Sequence, residues 1–83
     1  MSAKRYLELF FEEKELEPRI FTVEHNETVH MIESALLQDL IINHTSASEQ
    51  GQIRAILVKI DFYNGDVNHF LEHLAQGYVM SHF

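Results

Sequence analysis

The chain contains no cysteine, although it has only 83 residues. A chain of this length has room for one hydrophobic core, and without disulfides that core must be held together by apolar side chains. Hydrophobic residues make up 46% of the sequence, which is enough to form such a core. We therefore expect residues 1–83 to form a single small globular domain. The lack of cysteine also excludes thiolate metal sites and cysteine nucleophiles, and it suits the reducing environment of the cytoplasm.

The charge balance is strongly acidic. The chain has 13 Asp and Glu residues against 6 Lys and Arg residues, which gives a formal net charge of −7. Phosphate backbones and anionic lipid headgroups would be repelled by this charge, so we expect neither nucleic acid nor a membrane as a partner. The longest stretch without Asp, Glu, Lys or Arg is the C-terminal 11 residues, well short of the roughly 20 apolar residues that a membrane-spanning helix needs.

Two helices are predicted on either side of a region rich in β-branched residues. Ser2 is a candidate N-cap for a first helix that runs to about Leu16, where Pro18 ends it. Ser34 is a candidate N-cap for a helix from Ala35 to about Asn43. Both segments have apolar residues at helical spacing, which predicts one buried face for each. These residues are Leu7, Phe10 and Phe11 in the first helix, and Leu36, Leu37, Leu40 and Ile41 in the second.

Two further helices are predicted in the second half of the chain. Ser46 and Glu49 have the spacing of a capping box, which marks the start of one helix. Asn64-Gly65 interrupts the helical pattern, and Asp66 is a candidate cap for the last helix. The predicted buried positions are Ile53, Ile56, Leu57 and Ile60 in one helix and Val67, Phe70, Leu71, Leu74, Ala75 and Tyr78 in the other.

Residues 20–32 have the composition of a β-hairpin. Runs of β-branched and aromatic residues at 20–23 and 28–32 flank the polar pair Asn26-Glu27, a candidate turn. A competing interpretation starts a helix at Asn26 or Thr28 and continues it to Ile42. With the hairpin, the sequence predicts an α+β, mainly α fold: an N-terminal helix, a β-hairpin and three short helices in one compact domain.

The chain has six histidines, and two of them have the spacing of neighbours on one helical face. His69 and His73 are candidate ligands for a divalent metal ion, which a carboxylate or a second copy of the chain would complete. The opposing interpretation places both on the exposed side of the last helix. His25 and His30 flank the predicted turn and would lie on one face of the ribbon as diagonal neighbours, where they could hold a metal or respond to pH.

No motif for catalysis stands out. The three glycines are scattered, so there is no phosphate-binding loop, and no serine has the G-x-S-x-G surroundings of a hydrolase nucleophile. These absences argue against an enzyme without excluding one. They leave three functional hypotheses: a small acidic cytoplasmic protein-interaction or regulatory module, a histidine-based metal- or pH-responsive binding protein, and an accessory or small-ligand-binding subunit.

The interaction hypothesis includes a homodimer. A lone two-stranded ribbon is marginally stable in water and leaves unpaired backbone groups along both edges. One of its faces would expose Ile20, Val29 and Met31, and part of the second helix could stay uncovered as well. A second copy of the chain would bury this surplus symmetrically, whereas in a monomer the helices would have to wrap both faces.

Overall fold

The computed structural model describes all 83 residues, and it confirms an α+β fold that is mainly helical. The chain has four helices and a single two-stranded antiparallel sheet. In chain order the elements are α1 (Ala3–Lys14), β1 (Ile20–His25), β2 (Thr28–Glu33), α2 (Ser34–Asn43), α3 (Ala47–Phe62) and α4 (Val67–His82).

Helix α1 begins as predicted but ends earlier. The Arg5 N–H donates to Ser2 Oγ over 3.1 Å, so Ser2 is the N-cap. The helix ends at Lys14 rather than near Leu16, because Glu15 adopts a left-handed conformation with φ of 46°. Pro18 therefore lies in the connection to β1 and does not itself end the helix.

Residues 20–33 form the predicted hairpin, and the competing long helix is wrong. His25 pairs with Thr28, which leaves Asn26 and Glu27 as a two-residue turn. Both have positive φ, 51° and 63°, as a type I′ turn requires. A type I′ turn matches the right-handed twist of the strands. Asn26 adopts the left-handed backbone readily, and the turn forms even though Glu27 occupies its second position.

The start of α2 differs from the prediction. Ser34 is the first residue of the helix, and Glu33 occupies the N-cap position without a side-chain bond to the helix. The Ser34 hydroxyl is instead buried and accepts a hydrogen bond from the Arg19 N–H at 3.1 Å, while the Ser34 N–H donates to the Arg19 carbonyl at 2.8 Å. Ser34 thus closes the open end of the hairpin.

The last two helices begin where the sequence predicts. Ser46 Oγ accepts from the Glu49 N–H at 3.1 Å, and Asp66 Oδ1 accepts from the Asn68 N–H at 2.9 Å. Between the helices the left-handed residue is Asn64, with φ of 55°. The asparagine rather than the neighbouring glycine therefore provides the reversal.

The core draws on all six elements. Helix α4 packs against β1, and α1 packs against α3. Two predicted core residues are exposed instead: Leu36 in α2 and Ile56 in α3. The buried hydrophobic residues are Leu7, Phe10, Phe11, Phe21, Val23, Ile32, Leu37, Ile41, Ile53, Leu57, Leu71, Ala75 and Val79.

None of the four helices combines the length and the hydropathy required to cross a membrane.

Candidate interaction surface

The two faces of the hairpin have opposite environments. Phe21, Val23 and Ile32 point toward the helices and are buried. The alternate positions form the outer face of the hairpin, and no other element covers it. Ile20, Val29 and Met31 are 56%, 59% and 71% exposed. The other members of the outer face are also exposed: Thr22, Glu24 and Glu33.

The outer face has an uncharged middle. The cross-strand pairs on this face are Ile20 with Glu33, Thr22 with Met31, and Glu24 with Val29. The two carboxylates therefore lie at diagonally opposite corners, and the central pair carries no charge. Exposed apolar side chains between charged corners are typical of a surface that binds another protein rather than one that only faces water.

The register also fixes which backbone groups are free. Because the Ser34 N–H bonds to the Arg19 carbonyl, the hydrogen-bonded pairs of the ladder are the residues of the inner face. In an antiparallel ladder, the alternate residues direct their N–H and C=O groups away from the partner strand. On β2 these residues are Val29, Met31 and Glu33. None of their N–H groups has another bond within the chain, so the outer edge of β2 can accept a further strand.

A cleft on another side of the molecule is the second candidate site. It has a volume of about 430 Å³ and lies between the end of α2, the start of α3 and the second half of α4. Its apolar lining is formed by Leu37, Leu40, Ile41, Ile53, Leu74 and Tyr78, and its polar side chains are those of His44, Thr45, Glu49, His73, Ser81 and His82.

Local contacts hold the polar residues at the rim of the cleft. His44 follows α2 directly, and its Nε2 lies 3.7 Å from Asp39 Oδ2. The His82 ring stacks on Tyr78 with 4.3 Å between ring centroids, and His82 Nδ1 lies 3.0 Å from the Tyr78 carbonyl oxygen. Both histidines are thus held near the apolar lining, where they could contact the polar end of a bound molecule.

One buried polar side chain joins two walls of the cleft. Gln50, in the first turns of α3, donates from Nε2 to the Ile42 carbonyl at 2.8 Å and to the Ile41 carbonyl at 3.4 Å. These carbonyls lie in the last turn of α2, where intrahelical donors run out. Gln50 therefore ties the start of α3 to the end of α2, two of the elements that line the cleft.

The two predicted metal ligands are only partly brought to this site. His69 and His73 are both exposed on α4, as the helical pattern indicated, and of the two only His73 lines the cleft. No group of three or more His, Asp or Glu side chains is arranged to hold a metal ion.

His25 and His30 occupy the positions that the hairpin register predicted. Val23 pairs with His30 and His25 with Thr28, so the two histidines are diagonal neighbours on the inner side of the ribbon. Each has a different neighbour. The His30 ring lies 4.5 Å from that of Phe83, and His25 Nε2 lies 3.1 Å from Asn26 Nδ2.

The cleft and the role of Gln50 have no clear sequence signal. Three histidines, at positions 44, 73 and 82, line the cleft from elements that are distant in sequence. By contrast, the period-two alternation predicts the outer face of the hairpin well.

Comparisons with protein-family models, with curated proteins and with solved structures gave no significant match for this chain.

Proposed function

We propose that the chain is a small acidic cytoplasmic protein-interaction or regulatory module that acts as a homodimer, with the hairpin as the dimer contact. The observation that carries the proposal is the outer face of the hairpin. It presents Ile20, Val29 and Met31 to solvent on a ribbon whose outer edges have no strand partner. Monomeric proteins usually protect such edges with charge, proline or a covering element.

The total accessible surface area of the chain supports a contact with a partner. A monomer of 9.7 kDa has an accessible surface of roughly 5,100 Å² by the usual scaling. This chain exposes 5787 Å². The excess of about 700 Å² is close to the ~800 Å² that each partner buries in a standard protein interface. One interface of ordinary size would therefore bring the chain to the expected exposure.

The distribution of charge allows this contact despite the net charge of −7. The acidic run at the end of α1 and in the following loop is exposed and lies outside the two strands. On the outer face itself, the central pair of Thr22 and Met31 is neutral. Two copies can therefore meet at the hairpin without placing like charges at the centre of the contact.

Light scattering coupled to size exclusion, at micromolar concentration and pH 7.5, tests the proposal. We expect a mass of about twice 9.7 kDa for the wild-type chain. Met31→Glu should return the mass to that of a monomer, because it adds a carboxylate to the uncharged middle of the contact on each copy, where like charges repel.

Met80→Glu is the matched control. Met80 is 67% exposed, close to the 71% of Met31, but it lies on α4. This variant should remain dimeric, and circular dichroism should show the same helix content for all three proteins. A wild-type mass near 9.7 kDa that does not rise with concentration would refute the dimer.

The cleft favours a second candidate, a small-ligand-binding subunit. A volume of about 430 Å³ with an apolar lining and a few polar groups lies within the range of small-molecule sites. The fluorescent anion anilinonaphthalene sulfonate is a suitable probe. If the cleft binds such molecules, Gly77→Phe should abolish saturable fluorescence, since Gly77 lines the cleft and has open space beside its Cα. Met31→Glu should leave that fluorescence unchanged.

A further inference from the structure

We infer that two copies of the chain join edge to edge along β2, antiparallel and centred on Met31, to form one four-stranded sheet. This inference rests on the proposed homodimer and specifies its geometry. The strand order would be β1, β2, then β2 and β1 of the second copy. Three observations carry it: the exposure on each side of β2, the direction of its free backbone groups, and the placement of its charges.

The exposure pattern distinguishes β2 from β1. Both inner-face residues in the middle of β1, Phe21 and Val23, are buried, and α4 packs against this strand. On β2, Thr28 is exposed and His30 is only half-buried. The helices therefore cover the inner face of β1 more completely than the part of β2 next to the turn.

The residues at the two edges also differ in polarity, and those of β2 are the more apolar. Along β1 the residues that direct backbone groups outward are Ile20, Thr22 and Glu24, of which only Ile20 is apolar. Along β2 they include Val29 and Met31, whose side chains are large, apolar and exposed. On β2, the unpaired donors and acceptors thus coincide with apolar side chains, so strand pairing satisfies the backbone groups and gives these side chains new cross-strand neighbours.

Twofold symmetry leaves few possible registers, because the residues of β2 with outward backbone groups must lie opposite one another. A register centred on Met31 opposes the two copies of Met31 and pairs each Val29 with Glu33 of the second copy, which gives three hydrogen-bonded residue pairs. A register centred on His30 gives only two such pairs, between Val29 and Met31 of the second copy. The register centred on Met31 therefore satisfies more of the free backbone donors and acceptors of β2.

Charge favours the same register. Centring on His30 places Glu33 opposite Glu27 of the second copy, and like charges directly opposite are destabilising. Centring on Met31 places each Glu33 opposite Val29. The two Glu33 residues then lie at opposite ends of the contact, four residues or about 13 Å apart along the strands.

Cysteine cross-linking tests the register directly, because the chain has no cysteine of its own. Opposed residues in a hydrogen-bonded antiparallel pair have Cα atoms about 5.5 Å apart, within the range that a disulfide spans. Under mild oxidation, Met31→Cys should form a disulfide dimer at least tenfold faster than Met80→Cys, the exposed control on α4. A mixture of Val29→Cys and Glu33→Cys chains should cross-link to each other faster than either does to itself.

The alternatives give different results. Faster cross-linking of His30→Cys than of Met31→Cys would overturn the register, and faster cross-linking of Thr22→Cys would place the contact on β1. Dimeric mass in the wild-type chain with no rapid cross-link at Met31 or in the Val29 and Glu33 mixture would refute the edge contact while leaving the homodimer intact. A monomeric wild-type mass would refute both.

Discussion

Gln50 allows a sharp test of how the α2–α3 corner is held. Its side chain is buried, and its amide donates to the carbonyls of Ile41 and Ile42. Gln50→Met keeps the length and most of the volume of the side chain but removes the donor. The Ile41 carbonyl would keep a partner, because the Thr45 hydroxyl also donates to it. The Ile42 carbonyl, at a half-buried position, would lose its side-chain donor.

The expected cost follows from that one stranded acceptor. Leaving a buried polar group unsatisfied costs about 1–3 kcal/mol, whereas the chain as a whole is expected to be stable by about 4–12 kcal/mol. At roughly 4–8 °C per kcal/mol for a domain of this size, Tm should fall by about 5–20 °C. Urea unfolding and calorimetry would measure both quantities.

Gln52→Met is the matched control, since Gln52 lies on the same helix but is exposed. It should change the free energy of unfolding by less than about 0.5 kcal/mol. If Gln50→Met and Gln52→Met unfold within about 0.5 kcal/mol of each other, the argument that Gln50 holds the corner is wrong.

Three other predictions concern the core, the turn and the histidines. Leu57→Ala should lower the free energy of unfolding by about 2–5 kcal/mol in urea, because Leu57 is fully buried, whereas Leu36→Ala at an exposed site should cost far less. Glu27→Gly should raise Tm, since glycine removes the cost of about 1 kcal/mol that a left-handed backbone imposes on Glu; an unchanged or lower Tm would contradict this. Excess Zn²⁺ should shift the Tm of wild-type and His73→Ala chains equally, because no third ligand joins the exposed histidine pair; a stabilisation of several degrees lost in the variant would show a real site.

Local signals predicted most of the fold correctly. The caps at Ser46 and Asp66 were identified from the spacing of a few residues, and each cap bond is present. The hairpin was identified because Asn26-Glu27 lies between two runs rich in β-branched and aromatic residues. In each case the decisive interaction joins residues close in sequence, so composition and period carry the necessary information.

Predictions failed where a distant residue competed for a group. Ser34 has the chemistry of an N-cap, but its hydroxyl bonds to Arg19 across the hairpin. Leu36 has helical spacing with Leu37 and Ile41, yet the core reaches only one side of α2 and leaves Leu36 half exposed. Neither outcome follows from local propensity, because both depend on which elements pack against which.

The folding of a single chain does not by itself require the apolar residues on the outer face of the hairpin. In a hairpin with a two-residue turn, every second residue of each strand hydrogen-bonds to the other strand, and in this chain the side chains of those residues face the core. The residues between them therefore carry both the side chains of the outer face and the backbone groups that point away from the hairpin. If this edge served only solvent, polar residues at Val29 and Met31 would leave the core and the ladder unchanged. Apolar residues there increase the exposed hydrophobic surface of the free chain, and a partner that contacts them removes part of that surface from water. A second β2 strand pairs with these backbone groups and places cross-strand neighbours beside Val29 and Met31, which is why we place the partner along this edge.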